Sequence, residues 1–176
     1  MIRTLILSFA LCAGALASGA AFAGIIEGKV IEVVDGATLT VLARRGASLH
    51  RIRLAGIDAP NVETPAGGKA RASLHRLVHG KMVRVDTNAI DSWGRLVGLV
   101  TLPPQPDCKE ARCADAIDPA LAQLRAGQAW VEVTSLLHQN EELQKTYTVV
   151  ESTAKSKRTG LWRDFVVSNN ALRPRP

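Results

Sequence analysis

The sequence offers little that could cross a membrane. Its one candidate, the apolar stretch from Leu5 to Leu16, falls short of the roughly 20 residues that a spanning helix needs. Arg3 precedes this stretch, and small residues ending in Ala21-Phe22-Ala23 follow it. Together they form the basic, apolar and Ala-x-Ala regions of a secretory leader. Cleavage after Ala23 is expected, giving an exported protein, periplasmic or secreted, with no transmembrane segment. Cys12 follows Leu11 rather than a small residue, which argues against a lipoprotein leader.

Cysteine is scarce as well, three in all. Beyond the leader only Cys108 and Cys113 remain, in "CKEARC", with no histidine or third cysteine nearby to complete the four ligands of a zinc site. In an exported chain such a pair reads as a loop-closing disulfide. There is no internal repeat and no low-complexity linker. The expected organisation is a leader over 1–23, one domain over 24–165 and a frayed tail over 166–176. About 150 residues suffice for a single core. What the chain does have is positive charge, a formal net +6. That favours an anionic partner such as nucleic acid, lipid headgroups or acidic polysaccharide, without choosing among them.

The apolar pattern begins with a period of two. Ile25 to Val34, Thr38 to Ala43 and Ser48 to Ile57 read as three strands joined by turns at Asp35-Gly36 and Arg45-Gly46, a meander. In the third, Leu49, Arg51 and Arg53 alternate with His50, Ile52 and Leu54. The period then lengthens. Ala70, Leu74, Leu77 and Val78 recur at helical spacing and Gly80 closes the segment. Residues 81–87 and 95–102 read as two more strands around a turn at Asp91 to Gly94. Asp118-Pro119 carries the N-cap and first-turn proline of a short helix, and Leu143, Tyr147, Val150 and Ala154 mark one face of a longer one that Gly160 stops. Five strands with a helix after the third predict a β-rich α+β domain: a five-stranded Greek-key barrel of the OB type with about three helices.

Five pieces now stand in order: "VVDGATLTV" (33–41), "RIRLAGIDAPN" (51–61), "DSWGR" (91–95), "RAGQAWV" (125–131) and "SKRTGLW" (156–162). Together they resemble the staphylococcal (thermo)nuclease family. That resemblance implies an OB barrel with three helices and calcium-assisted cleavage of phosphodiester bonds in DNA and RNA. Charge that builds on phosphoryl oxygens calls for cations placed in advance, and an arginine fork meets two oxygens at once. Calcium takes six to eight oxygen ligands, and a further carboxylate orients or deprotonates the attacking water. By resemblance, Arg53 and Arg95 are the phosphate-binding arginines, Asp58 is one calcium carboxylate, and the carbonyl of Ala59 is the ligand beside it.

Two positions depart from the family pattern. Ala37 stands where a second calcium-binding aspartate is expected, and Asn61 where the glutamate proposed as general base is expected. A methyl cannot bind calcium, and an amide takes no proton near neutral pH. Glu63, two residues on, is the available substitute. Trp93 keeps an aromatic where tyrosine is common. These changes predict weak or absent Ca2+ binding and a nuclease-like protein that retains anion binding and little chemistry. Its partner would be nucleic acid or another anionic polymer, with Lys69, Arg71, Lys81 and Arg84 as further cationic candidates. Two alternatives stand beside this: an active phosphodiesterase with a rearranged site, and an accessory role in exopolysaccharide biosynthesis, notably of succinoglycan. The last rests on resemblance alone. Oligomeric state is open.

Overall fold

The computed structural model of the protein describes residues 24–104, 116–132 and 141–163. The expected leader (1–23), Cys108 and Cys113, and the expected tail (166–176) lie outside the described residues. The chain opens with β1 (Gly24–Val33), β2 (Thr38–Ala43), β3 (Leu49–Leu54) and the two-residue β4 (Ile57–Asp58). Helix α1 (Pro65–Val78) leads to β5 (Met82–Ile90) and β6 (Leu96–Thr101), then α2 (Pro119–Arg125), β7 (Trp130–Val131) and α3 (Glu141–Ser156), with a short 3-10 turn over Gly160–Arg163.

Five strands close into a barrel in the order β1-β2-β3-β6-β5, with β5 returning to β1. All pairings are antiparallel except β3 with β6, which run parallel because α1 and β5 intervene. This is the OB arrangement. Alternation sorts β3 as the sequence predicts: Ile52 and Leu54 are fully buried while Arg51 and Leu49 face outward. Val30, Leu39, Val41, Ile52, Leu54, Val85 and Val100 fill the barrel, and Leu74 and Val78 of α1, Leu124 of α2 and Tyr147 of α3 join the same cluster. Among the described residues no helix is long and apolar enough to cross a membrane.

The predicted third strand is broken where the sequence read it through to Ile57. Gly56 adopts φ +78°, which turns the chain out of the barrel after Leu54 and starts β4 as a separate ladder with β7. Helix α1 begins earlier than its apolar spacing shows, because Thr64 caps it. The Thr64 hydroxyl accepts from Gly67 N at 3.0 Å, and Pro65 occupies the first turn. Asp118 caps α2 as predicted, accepting from Ala120 N at 2.8 Å and Leu121 N at 3.2 Å. Its other oxygen accepts from the Tyr147 hydroxyl at 2.6 Å, tying α3 to the start of α2.

Two longer-range ties set the rim on which the candidate site lies. The buried Gln123 amide donates to the carbonyls of Gly36 and Ala70, both at 2.9 Å, so α2 holds the β1–β2 turn against α1. Gly127 and Gly160 cross back to back, with φ of +61° and +58°, and Leu161 N donates to Gly127 O at 2.8 Å. A Cβ on Gly160 would overlap the carbonyls of Ala126 and Gly127. The sequence pieces 125–131 and 156–162 therefore meet face to face.

Candidate phosphate-binding site

Arg53 sits at the end of β3, paired across the ladders with Thr38 of β2 and Val97 of β6. Its side chain is mostly buried, and its Nη2 donates to two carboxylates: Glu132 Oε2 at 2.8 Å and Asp58 Oδ1 at 3.1 Å. Burial works against the charge of this guanidinium, but the bond to Glu132 and the nearby Asp58 more than offset it. Arg53 is held more firmly protonated than a free arginine.

Asp58 is placed by β4, and its Oδ1 also accepts from Ala59 N at 2.9 Å. Glu132 arrives by the partner ladder. Asp58 pairs with Trp130, Ile57 with Val131, and Glu132 N then donates to Gly56 O at 3.0 Å, which brings the glutamate alongside Arg53. Sequence reasoning missed Glu132. It lies just past a two-residue strand with no period of its own, and only the β4–β7 pairing brings it to the site.

Arg95 precedes β6. Its Nε donates to Asp91 Oδ2 at 2.6 Å, its guanidinium lies 5.0 Å from the centroid of the Trp93 ring, and its Nη1 reaches Thr38 Oγ1 at 3.4 Å. Asp91 organises the turn by accepting from Trp93 N at 3.0 Å and Arg95 N at 2.9 Å through Oδ1. Burial alone would raise this carboxyl. The Arg95 amide and guanidinium, with the Trp93 amide, outweigh it and hold Asp91 below the ordinary aspartate value. Thr38 is the common neighbour of the two arginines: it pairs with Arg53 across the ladder and touches Arg95 with its hydroxyl.

The remaining predicted residues fall as follows. Ala37 is buried in the core, its N–H donating to Asp35 Oδ1 at 2.7 Å within the β1–β2 turn. Asn61 is exposed, and its side-chain oxygen accepts from Glu63 N at 2.9 Å, closing a local turn ahead of α1. Glu63 is exposed, and no contact joins its carboxylate to Arg53, Asp58 or Arg95. Arg71 donates to Val33 O at 2.7 Å, a structural use of that cation. Arg84 pairs with Asp86 and Glu27 at the end of β5 remote from the site. Lys69 and Lys81 join no ion pair among the described residues.

A closed five-stranded barrel whose core is shared by three helices, with arginines on the outer face of its third strand, defines an OB-fold domain of the nuclease type. The family described as staphylococcal nuclease homologue matches residues 51–164, and the chain belongs to that family. Relatives agree with this. An uncharacterized endonuclease of Escherichia coli O157:H7 is 32% identical over 139 residues, which cover 79% of this chain and 78% of that protein. A micrococcal nuclease of Shigella flexneri is 31% identical over 138 residues, covering 78% and 74%. Protein ParB of Escherichia coli is 31% identical over 146 residues, covering 79% and 73%.

Proposed function

We propose that this nuclease-family chain is exported and binds phosphate-bearing or other acidic polymers through Arg53 and Arg95, with little phosphodiesterase activity of its own. The observation that carries the reading is the contrast at the rim. Both arginines are held in fixed positions around Thr38, while the positions expected for a metal carboxylate and a general base hold a buried methyl and an amide occupied in its own turn.

Nucleases of the family generally use Ca2+, which takes six to eight oxygen ligands. Among the described residues no cluster of three or more His, Cys, Asp or Glu side chains could hold a metal. One oxygen of Asp58 is engaged by Arg53 and Ala59 N, and Ala37 supplies no donor. In this arrangement the set does not fit calcium. The chain's own residues can still bind and orient an anion: Arg53 as a fixed, desolvated cation and Arg95 as a planar fork steadied by Asp91 and Trp93.

The test is binding of a nucleotide bisphosphate to the mature protein by calorimetry, with and without calcium. Expected are calcium-independent binding and a loss of about 10-fold or more in Arg53→Ala and in Arg95→Ala. If both variants bind like the parent at low salt, the arginines are structural.

A second reading, a working phosphodiesterase with a rearranged site, is favoured by Glu132 rather than by Glu63. Glu132 supplies a carboxylate beside Arg53, in contact with the candidate site, where Glu63 has none. Calcium-dependent cleavage of denatured DNA by the parent, abolished in Glu132→Gln, would establish it. The exopolysaccharide role draws no support from the site or from the relatives' names.

A further inference from the structure

Arg51 stands one pleat before Arg53 on the same outward face of β3. The parallel register that pairs Ile52 with Leu96 sets it level with Arg95. The three side chains of Arg51, Trp93 and Arg95 line an open hollow of about 340 Å³. Their charges are not equivalent. Arg53 is shared by Asp58 and Glu132, and Arg95 is bound by Asp91. Arg51 is exposed, and no carboxylate pairs with it among the described residues. Glu32, the acid in its cross-strand row, lies beyond Thr40 and accepts from the Thr40 hydroxyl at 2.9 Å. Trp93, 79% exposed, presents its ring at the same hollow.

We propose that Arg51 forms a second phosphate subsite, next to the Arg53–Arg95 position, and that it makes the site prefer polynucleotides to mononucleotides. The proposal rests on the anion-binding reading above and names its substrate class. The internal carboxylates already cancel much of the charge on Arg53 and Arg95, so a ligand that reaches them gains fixed geometry more than net attraction. Among the described residues, Arg51 is the cation of this hollow that no carboxylate cancels. Residues i and i+2 of a strand lie roughly 7 Å apart, a separation comparable to that between successive phosphates of an extended single strand. A polymer whose one phosphate sits between Arg53 and Arg95 therefore offers its neighbour to Arg51. The Trp93 ring, which lines the same hollow, gives an unstacked base a face to lie on, a contact that any base can make. A mononucleotide has no second phosphate for Arg51 to hold.

The experiment compares deoxythymidine 5′-monophosphate with oligodeoxythymidylates of two and eight residues, titrated by tryptophan fluorescence in a chelator so that no strand is cut. Trp93→Phe assigns the signal. The parent should bind the octamer at least ~10-fold more tightly than the mononucleotide. Arg51→Gln should erase that gain, weaken the octamer by about 10-fold and lower the magnitude of its salt slope by about one, while leaving the mononucleotide within about twofold. Octamer binding by Arg51→Gln equal to the parent's, with mononucleotide binding still lost in Arg53→Ala, overturns the subsite alone. A parent that binds none of the three probes overturns the subsite and the anion-binding reading together.

Discussion

Glu132 and Arg53 lie 79 positions apart in the chain, yet Glu132 Oε2 accepts from Arg53 Nη2 at 2.8 Å. An anion that bound the guanidinium would compete with this carboxylate for one charge. Glu132→Gln keeps an acceptor for Arg53 and removes the competing charge. It should raise affinity for a nucleotide bisphosphate by about fivefold, roughly 1 kcal/mol, the size of a partly exposed ion pair. Calorimetry at low salt reads this directly. A fall in affinity instead would mean that Glu132 serves the ligand, and would favour the rearranged enzyme.

Ala37 carries a second prediction, because it is buried as well as unable to ligate. Ala37→Asp places a carboxylate in a packed turn and should cost on the order of 2–4 kcal/mol in urea unfolding without calcium. Millimolar calcium should recover part of that loss, and the parent should show no such dependence. Asn61→Glu restores a base without a metal to place its water, so alone it should leave DNA cleavage near background. The double variant should exceed both singles in digestion of denatured DNA.

Asp91 and Asp118 should respond to acid in opposite senses. Asp91 sits below the ordinary aspartate value, so its contribution is present above about pH 4 and is lost as pH falls through its lowered value. Asp91→Asn should therefore be less stable than the parent at pH 7, by about 1–3 kcal/mol, with the gap closing below about pH 4. Asp118 sits above the ordinary value because burial outweighs the Tyr147 hydroxyl and the amides of Leu121 and Ala120. Its ionisation opposes folding, so the parent should gain on Asp118→Asn as pH drops toward 4. Urea melts of the three proteins at pH 7, 5 and 3 check both signs.

Gly160→Ala should destabilise by about 2–4 kcal/mol, from a positive φ together with overlap against the Gly127 carbonyl. Gly46→Ala is the control. It has a similar φ of +79° but nothing within 4 Å, so it should cost only about 1 kcal/mol. Thermal melts that shift equally in both would show that backbone strain, not the crossing of the two segments, sets the cost.

Much of this architecture could be read locally. Alternation in β3, the proline after Asp118 and the helical spacing through Tyr147 each draw on neighbours within a turn or a pleat. The order of those elements predicts the barrel. Arg53, Asp58 and Arg95 were accessible because their pieces carry family spacing. Three things were not. Gly56 reads as part of a strand until its φ is known. Glu132 depends on a ladder between two-residue strands, which leaves no pattern in either. Arg51 looks like any outward arginine, since the absence of a partner among the described residues becomes visible only when their carboxylates have places.

The buried Gln123 amide has a consequence for the order in which the protein takes shape. Its two bonds span 87 and 53 positions, to Gly36 and Ala70. The β1–β2 turn that carries Ala37 and leads into Thr38 is therefore pinned by a residue made long after it. Contacts of such separation form late, because the loops they close must first lose their freedom. A chain that ends before α2 contains all five barrel strands but lacks the residue that fixes this rim. Ligand binding should then report completion of the last third of the chain, whereas strand content reports only the first two.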